Sequence, residues 1–166
     1  MKVLETKRLI LRQLEVDDAP FILRLVNEPS WLQYIGDKGV GSLEDAKNYI
    51  LSGPVDMYQR KGFGLWLVEL KTNGEPIGIC GLIKRETLDD VDIGFALLPE
   101  FWKHGYAFEA ADATMQFATG KLNLTRVVAI TSQDNEASGK LLERLGFEFE
   151  CLTPDQEELK LFVFEV

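Results

Sequence analysis

Cysteine and histidine are scarce in this 166-residue sequence, which contains two cysteines and a single histidine. Cys80 and Cys151 lie far apart in the chain, and neither has the nearby cysteine or histidine partners of a zinc or redox motif. Both cysteines fall in apolar, strand-like stretches, so we expect two buried free thiols. The sequence therefore gives no sign of a redox centre, and we expect no metal.

Positive charge and long apolar runs are scarce as well. The 18 lysines and arginines are outnumbered by 27 acidic residues, for a net charge of -9. A protein that binds duplex nucleic acid needs basic surface, so that class is excluded. No apolar run reaches membrane-spanning length, and the N-terminal stretch MKVLETKRLILRQLE alternates where a signal peptide would be continuously apolar. We expect a cytoplasmic protein without nucleic-acid or membrane partners.

Repeats, low-complexity segments and linkers are absent from the sequence, and its length suits a single domain, residues 1–166. The apolar periodicities predict a mixed α/β fold in the order β-α-α-β-β-β-α-β-α-β-β. Two local signals are clear: the Asn73-Gly74 pair is typical of a hairpin turn, and Ser42-x-x-Asp45 predicts a helix start. The apolar run at residues 126–131 predicts a central strand covered on both faces.

The stretch LLPEFWKHGYAFEAA, residues 97–111, predicts a strand end, a short loop and a helix start. The first turn of a helix presents unpaired N–H groups and favours phosphate. Gly105 would let a ligand approach the backbone, with Lys103 and His104 as a basic rim. A tight-turn glycine before an ordinary amphipathic helix would explain the same residues. The stretch matches neither a P-loop nor a dinucleotide fingerprint.

A second stretch, RVVAITSQDNEASGKLLERLGF at residues 126–147, runs from an apolar strand into a helix that ends in Leu-Gly-Phe. Four motifs in this order are shared with a known family: Glu5-Thr6-x-Arg8-Leu9-x-Leu11-Arg12, the loop Trp102-Lys103-His104-Gly105-Tyr106-Ala107 with Glu109-Ala110, Asn135-x-x-Ser138, and Leu142-Glu143-x-Leu145-Gly146-Phe147. The chain resembles, over essentially its whole length, the GNAT superfamily of acetyl-CoA-dependent N-acetyltransferases, and within it the branch of ribosomal-protein-alanine N-acetyltransferases. The resemblance implies a mostly antiparallel, twisted central sheet of six to seven strands flanked by about four helices.

The resemblance also implies acetyl-CoA as co-substrate and names the residues that hold it. The strand before the loop would pair with the pantetheine arm through Phe95, Ala96, Leu97 and Leu98. The pyrophosphate would bind the amides of Lys103, His104, Gly105, Tyr106 and Ala107. Asn135 would bond the pantetheine arm, although its position equally suits an N-cap. The branch usually has glycine where Lys103 stands; because Gly105 and Ala107 remain, we expect binding to survive.

Four further residues are candidates for chemistry and for acceptor binding. Ser138 stands where the branch places a residue near the thioester sulfur, so it is the candidate proton donor; a plain first-turn helix serine is the alternative. Asp92 is the candidate general base, directly or through water, whereas taken alone it suggests a solvated strand carboxylate. Trp31 and Tyr34, in the loop between the first two helices, would line the acceptor pocket or pack in the core.

Together these features predict an N-acetyltransferase that moves acetyl from acetyl-CoA to a primary amine by direct attack in a ternary complex. The acceptor is a protein N-terminus or a small amine. A non-catalytic acyl-CoA-binding or sensor module with the same fold is the alternative. Monomer and homodimer are both compatible with the sequence.

Overall fold

The computed structural model describes residues 1–155 and 158–166, and its strands form one eight-stranded sheet in the order β1-β2-β3-β4-β5-β6-β8-β7. The strands are β1 (Lys2–Glu5), β2 (Leu9–Gln13), β3 (Leu65–Leu70), β4 (Pro76–Ile83), β5 (Asp92–Leu97), β6 (Arg126–Thr131), β7 (Glu148–Leu152) and β8 (Lys160–Glu165). Neighbouring strands are antiparallel except for β5 and β6, which are parallel. The mixed, mostly antiparallel fold is confirmed. The expected count of six to seven strands is too low because the four-residue β1 is too short to show a pattern.

Helices cover both faces of this sheet. They are α1 (Ala19–Val26), α2 (Pro29–Tyr34), α3 (Leu43–Ile50), α4 (Asp56–Lys61), α5 (Tyr106–Gln116) and α6 (Glu136–Arg144). The short helices α2 and α4 were not predicted from the sequence. A wide π turn at Leu51–Val55 accommodates Pro54 and leads from α3 into α4. A second π turn, Phe117–Lys121, extends α5.

The local sequence signals behave as predicted. The Ser42 hydroxyl accepts a hydrogen bond from the Asp45 N–H at 3.1 Å and caps α3. Gly74 adopts φ +72° in the turn that joins β3 to β4. In β6, the consecutive residues Val127, Val128 and Ala129 are all buried, which confirms a central strand covered on both faces.

The two cysteines differ in their surroundings. Cys80 is buried in the core, as expected, but Cys151 is exposed, so the prediction of a second buried thiol is wrong. The physical reason is that β7 is an edge strand and all five of its residues are exposed. Within the described residues, no group of three His, Cys, Asp or Glu side chains is placed to hold a metal ion. No helix in the same part of the chain is long and apolar enough to cross a bilayer.

Candidate functional site

The two parallel strands in the middle of the sheet separate soon after they meet. Among the described residues, β5 and β6 pair at one position, Asp92 opposite Val128, where the Val128 N–H donates to the Val91 carbonyl at 2.9 Å. Backbone groups along a strand alternate in direction, so Phe95 and Leu97 face the opening gap as Val91 does. Leu98 faces the other way, and its N–H donates to Ile77 at 2.9 Å. The gap therefore exposes a backbone edge inside the sheet.

A cleft of about 1210 Å³ runs along this gap. All but two of the residues predicted for the site line it: Trp31, Tyr34, Asp92, Phe95, Ala96, Leu97, Lys103, Gly105, Tyr106, Ala107, Asn135 and Ser138. The two outside the lining are Leu98, which is 1% exposed in the core, and His104, whose exposed ring stacks beside Tyr106 at 5.6 Å. One cavity thus holds residues predicted for cofactor, chemistry and acceptor.

The loop before α5 contains two left-handed residues. Gly105 has φ +81° and Lys103 has φ +64°. For a lysine this conformation costs on the order of 1–2 kcal/mol, a strain that glycine avoids. This cost is a physical reason for the glycine that the resembled branch usually has there. Helix α5 starts directly after Gly105. The amides of Tyr106 and Ala107 therefore lack acceptors within the helix, and both residues line the cleft.

Long-range contacts tie the start of α5 to the turn between β1 and β2. Glu109 accepts hydrogen bonds from the Arg8 backbone at 2.9 Å and from Arg8 Nε at 2.8 Å, and the Thr6 hydroxyl also donates to it. Arg8 Nη1 donates to the His104 carbonyl at 3.0 Å, and the guanidinium lies over the Tyr106 ring. Burial raises the pKa of Glu109, but the hydrogen bonds from Thr6 and Arg8 outweigh it and hold the pKa below its ordinary value. Two motifs a hundred residues apart therefore form one clamp.

On the opposite side of the cleft, α6 begins with a local cap. Asn135 Oδ1 accepts a hydrogen bond from the Ser138 N–H at 3.3 Å, so Asn135 is an N-cap. Ser138 is half-buried at the third position of the helix. Across the gap, Trp102 Nε1 donates to the Leu97 carbonyl at 3.0 Å and occupies one acceptor of the open strand edge.

Asp92 lies where the pairing of β5 with β6 ends, and its side chain is 1% exposed. The interpretation of Asp92 as a solvated strand carboxylate is therefore wrong. Burial raises the pKa of Asp92 to about 6, and the Arg85 guanidinium limits that rise. Arg85 Nε is 3.3 Å from both carboxylate oxygens. At neutral pH this group is an ionised carboxylate that can take up a proton with little change in conditions.

Sequence analysis missed several polar groups that line the cleft. Trp31 and Tyr34 lie in the short helix α2 and not in a loop. Trp31 packs in the core and also lines the cleft, and it is 5% exposed. Trp31 Nε1 and the Thr131 hydroxyl are buried without a hydrogen-bond partner in the described part of the chain. Thr131 could have been noticed as the polar end of an apolar strand. No sequence signal marks Arg85.

These features fit acetyl-CoA. The open edge of β5 presents a backbone N–H and carbonyl at Phe95 to an amide-bearing arm. The start of α5 offers helix N–H groups to a pyrophosphate. Thr131 also lines the cleft, and its buried hydroxyl has no hydrogen-bond partner within the described residues.

Known proteins with the same architecture were found by sequence and by structure. The family profile described as acetyltransferase (GNAT) domain matches residues 8–148. The uncharacterized N-acetyltransferase YoaA of Bacillus subtilis is 33% identical over 149 residues, which cover 89% of this chain and 84% of YoaA. An acetyltransferase from Agrobacterium tumefaciens superposes with a TM-score of 0.86 at 26% identity, covering 100% of this chain and 95% of that one.

A ribosomal L7/L12 alpha-N-protein acetyltransferase, RimL, solved in complex with coenzyme A, superposes with a TM-score of 0.84 at 21% identity. The match covers 100% of this chain and 98% of RimL, and at this identity it shows a shared fold. The same fold therefore holds coenzyme A in a solved structure. With the family profile covering most of the sequence, the chain belongs to the GNAT family of N-acetyltransferases.

Proposed function

We propose that the protein transfers the acetyl group of acetyl-CoA to a primary amine by direct attack in a ternary complex. The observation that carries this proposal is the single cleft between β5 and β6. It places an open strand edge, a helix start, Ser138 and the buried Asp92 around one space. Holding two reactants together in one site supplies a large part of the acceleration of acyl transfer.

The cofactor would lie along the gap in the sheet. The amides of residues 103–107 would bind the pyrophosphate, helped by the positive end of the α5 macrodipole. The Phe95 backbone would pair with the pantetheine arm, whereas the Leu97 carbonyl already accepts from Trp102. Because Asn135 uses its oxygen as the cap of α6, its amide nitrogen is the group left for the pantetheine.

For the chemical step, the amine nitrogen bonds to the thioester carbonyl carbon and the carbon–sulfur bond breaks. The incoming ammonium must lose its proton, and Asp92, directly or through water, would accept it. The departing thiolate must gain a proton, and the Ser138 hydroxyl would supply it. The nitrogen, once bonded to the carbonyl carbon, loses a second proton, which restores the Ser138 hydroxyl. A base whose pKa is about 6 remains ionised at neutral pH and is still basic enough to assist.

Two parallel measurements test this function. Calorimetry measures coenzyme A binding, and a thiol-release assay follows acetyl-CoA consumption with peptides bearing free N-termini, amino acids and polyamines. Acetylation of any of these amines, detected by mass spectrometry, supports transfer. Tight coenzyme A binding without acetylation of any acceptor would favour the sensor module, and absence of binding would overturn the site.

A further inference from the structure

Arg85 is held loosely at the acceptor side of the cleft. Its Nε is 3.3 Å from each Asp92 oxygen, whereas charge-assisted bonds are about 2.7–2.9 Å long. The Arg12–Asp18 pair of the same protein reaches 2.8 and 2.9 Å through both Nη groups. Within the described residues, the hydrogen bonds of the Arg85 guanidinium go through Nε, and its side chain is 37% exposed. Two Nη groups thus remain as donors for a ligand.

Trp31, which lines the same cleft, carries a second donor. Its buried Nε1 lacks a partner among the described residues, and burial of an unsatisfied donor is unfavourable. Tyr49 packs against the core cluster that contains Trp31, and it lines the same cleft as Trp31 and Arg85. Burial raises the pKa of Tyr49, and the Arg85 guanidinium opposes that rise.

Two other charges of this part of the cleft are already neutralised. Glu28 pairs with Arg24 at 3.8 Å, and Arg60 pairs with Asp56 at 2.7 Å. An amine that approaches Asp92 therefore meets a carboxylate next to a guanidinium. A polycation would be repelled by Arg85, whereas a molecule with one ammonium and one carboxylate is complementary to both groups.

We infer that the acceptor is a primary amine with a carboxylate close to the amino group, as in a free α-amino acid. The amino group lies toward Asp92, the carboxylate toward the Nη groups of Arg85, and Trp31 Nε1 is a further donor to the bound acid. This assignment rests on the proposed acetyl transfer and narrows its substrate class. A peptide that begins with Asp or Glu also carries a carboxylate close to its free amino group.

The test uses matched sets of acceptors with the intact protein. Each common L-amino acid is compared with its carboxamide and with its decarboxylated amine, and peptides beginning with Asp are compared with peptides beginning with Asn. For the preferred side chain, we expect kcat/KM to be at least about tenfold higher for the free acid, a discrimination typical of a charge-assisted contact. A tenfold preference confined to the Asp peptides would assign the carboxylate to a peptide. Equal or better rates with decarboxylated amines or spermidine would overturn the inference.

Variants give the test its second arm. Arg85→Gln should reduce the preference for the acid over its carboxamide by about tenfold, mainly through KM, with partial recovery in Arg85→Lys. Trp31→Phe keeps the ring and should also raise KM for the acid. Arg60→Gln is the matched control, because Arg60 lines the cleft but is paired with Asp56, and it should leave the preference unchanged. These rates are measured at pH 8.5, where Asp92 is ionised.

The outcomes separate the inference from the function on which it rests. If amines are acetylated without a preference for those that carry a carboxylate, the inferred acceptor class is wrong and the transfer function stands. Coenzyme A binding without acetylation of any amine removes the transfer function and the acceptor class together. A preference that Arg85→Gln leaves unchanged removes Arg85 from acceptor recognition.

Discussion

The two helices that flank the cleft begin in different ways. The start of α5 is fixed from outside the helix, since Arg8 and Thr6 of the N-terminal segment bond to Glu109 and Arg8 also bonds to the His104 carbonyl. The start of α6 is fixed mainly by neighbouring residues, since the Ser138 N–H donates to Asn135 Oδ1 at 3.3 Å and the Asn135 N–H donates to the Ser132 carbonyl at 3.1 Å.

The cleft therefore has a prepared half at the start of α5, which distant residues hold, and an adjustable half at the start of α6, which neighbouring residues hold. The proposed pyrophosphate end is held by charged contacts that exist before any ligand arrives, so little ordering cost remains there. The proposed thioester end relies mainly on local bonds between uncharged groups, and the strand that follows α6 is exposed along its length. We therefore expect mutations at α5 to change cofactor affinity and mutations at α6 to change turnover.

The largest effect is expected at the prepared end. Gly105→Asp places a negative charge beside the proposed pyrophosphate and should weaken coenzyme A binding by at least about 100-fold. Gly105→Asn is the matched control, because asparagine tolerates positive φ and has the same shape without the charge. Calorimetry on both folded variants makes the comparison. Equal affinities for the two variants would contradict the loop assignment.

Asp92, at the N-terminal end of β5, should show opposite effects on activity and stability. Asp92→Asn should lower kcat/KM by about 100-fold, the range for loss of a general base. It should also stabilise the fold, because a rise in carboxyl pKa from 3.8 to about 6 costs up to about 3 kcal/mol at neutral pH.

The stabilisation expected for Asp92→Asn depends on pH. Because the folded-state pKa is raised, the cost of Asp92 is absent below pH 3.8, grows between 3.8 and about 6, and is complete above that range. Urea unfolding of both proteins from pH 4 to 8 should show curves that meet near pH 4 and separate by pH 6.5. In the wild type, kcat/KM should fall as the pH drops through about 6. A stability difference between the wild type and Asp92→Asn that does not change with pH would contradict the explanation by a buried, ionised Asp92.

The comparison of the two helix starts has a direct stability test. Glu109→Gln leaves Arg8 without its ion-pair partner and should lower the free energy of unfolding by about 2 kcal/mol. Asn135→Ala removes a local cap and should cost about 1 kcal/mol. Chemical denaturation measures both, and calorimetry should show weaker coenzyme A binding mainly for Glu109→Gln. An equal loss of the free energy of unfolding in Asn135→Ala and Glu109→Gln would contradict the contrast between the two helix starts.

At the adjustable end, Ser138→Ala should lower kcat by about tenfold with little change in KM for acetyl-CoA, since a proton donor acts in the transition state. Ser138→Thr keeps a hydroxyl and should recover part of the rate. Steady-state kinetics at saturating acceptor separate the two parameters. An unaltered kcat in Ser138→Ala removes Ser138 from the mechanism.

The smallest effect is expected from relieving backbone strain. Lys103→Gly should raise the free energy of unfolding by about 0.5–1 kcal/mol, because glycine adopts the left-handed conformation without steric cost. Asn123→Gly is the control: Asn123 also has positive φ, but asparagine tolerates it, so the gain should be smaller. Thermal unfolding compares the two, and a larger gain at Asn123 would argue against strain at Lys103.

The sequence predicted those features that depend on neighbouring residues. The Ser42 cap, the Asn73-Gly74 turn and the apolar β6 are encoded within a few positions each, and the structure has all three. The motifs around Gly105 and Ser138 likewise pointed to one cleft. Features that depend on distant contacts were missed or wrong.

Asp92 illustrates the limit. Its burial results from the meeting of β5 with β6 and from Arg85 of the preceding connection, which no pattern near residue 92 shows. Cys151 illustrates the opposite error. The apolar pattern around it suggested burial, but β7 is an edge strand and all five of its residues are exposed. The clamp between Arg8 and Glu109 was visible as two motifs, and only the fold shows that they touch.

The gap between β5 and β6 has a consequence for the lifetime of the protein. Without its cofactor, the chain carries an unpaired strand edge in the middle of its sheet, and such edges recruit other strands. Ligand at 100 times its dissociation constant adds about 2.7 kcal/mol to the stability of the folded chain. Differences of this size change steady-state protein levels several-fold through chaperones and proteases. The supply of acetyl-CoA would then set how much of this protein a cell retains.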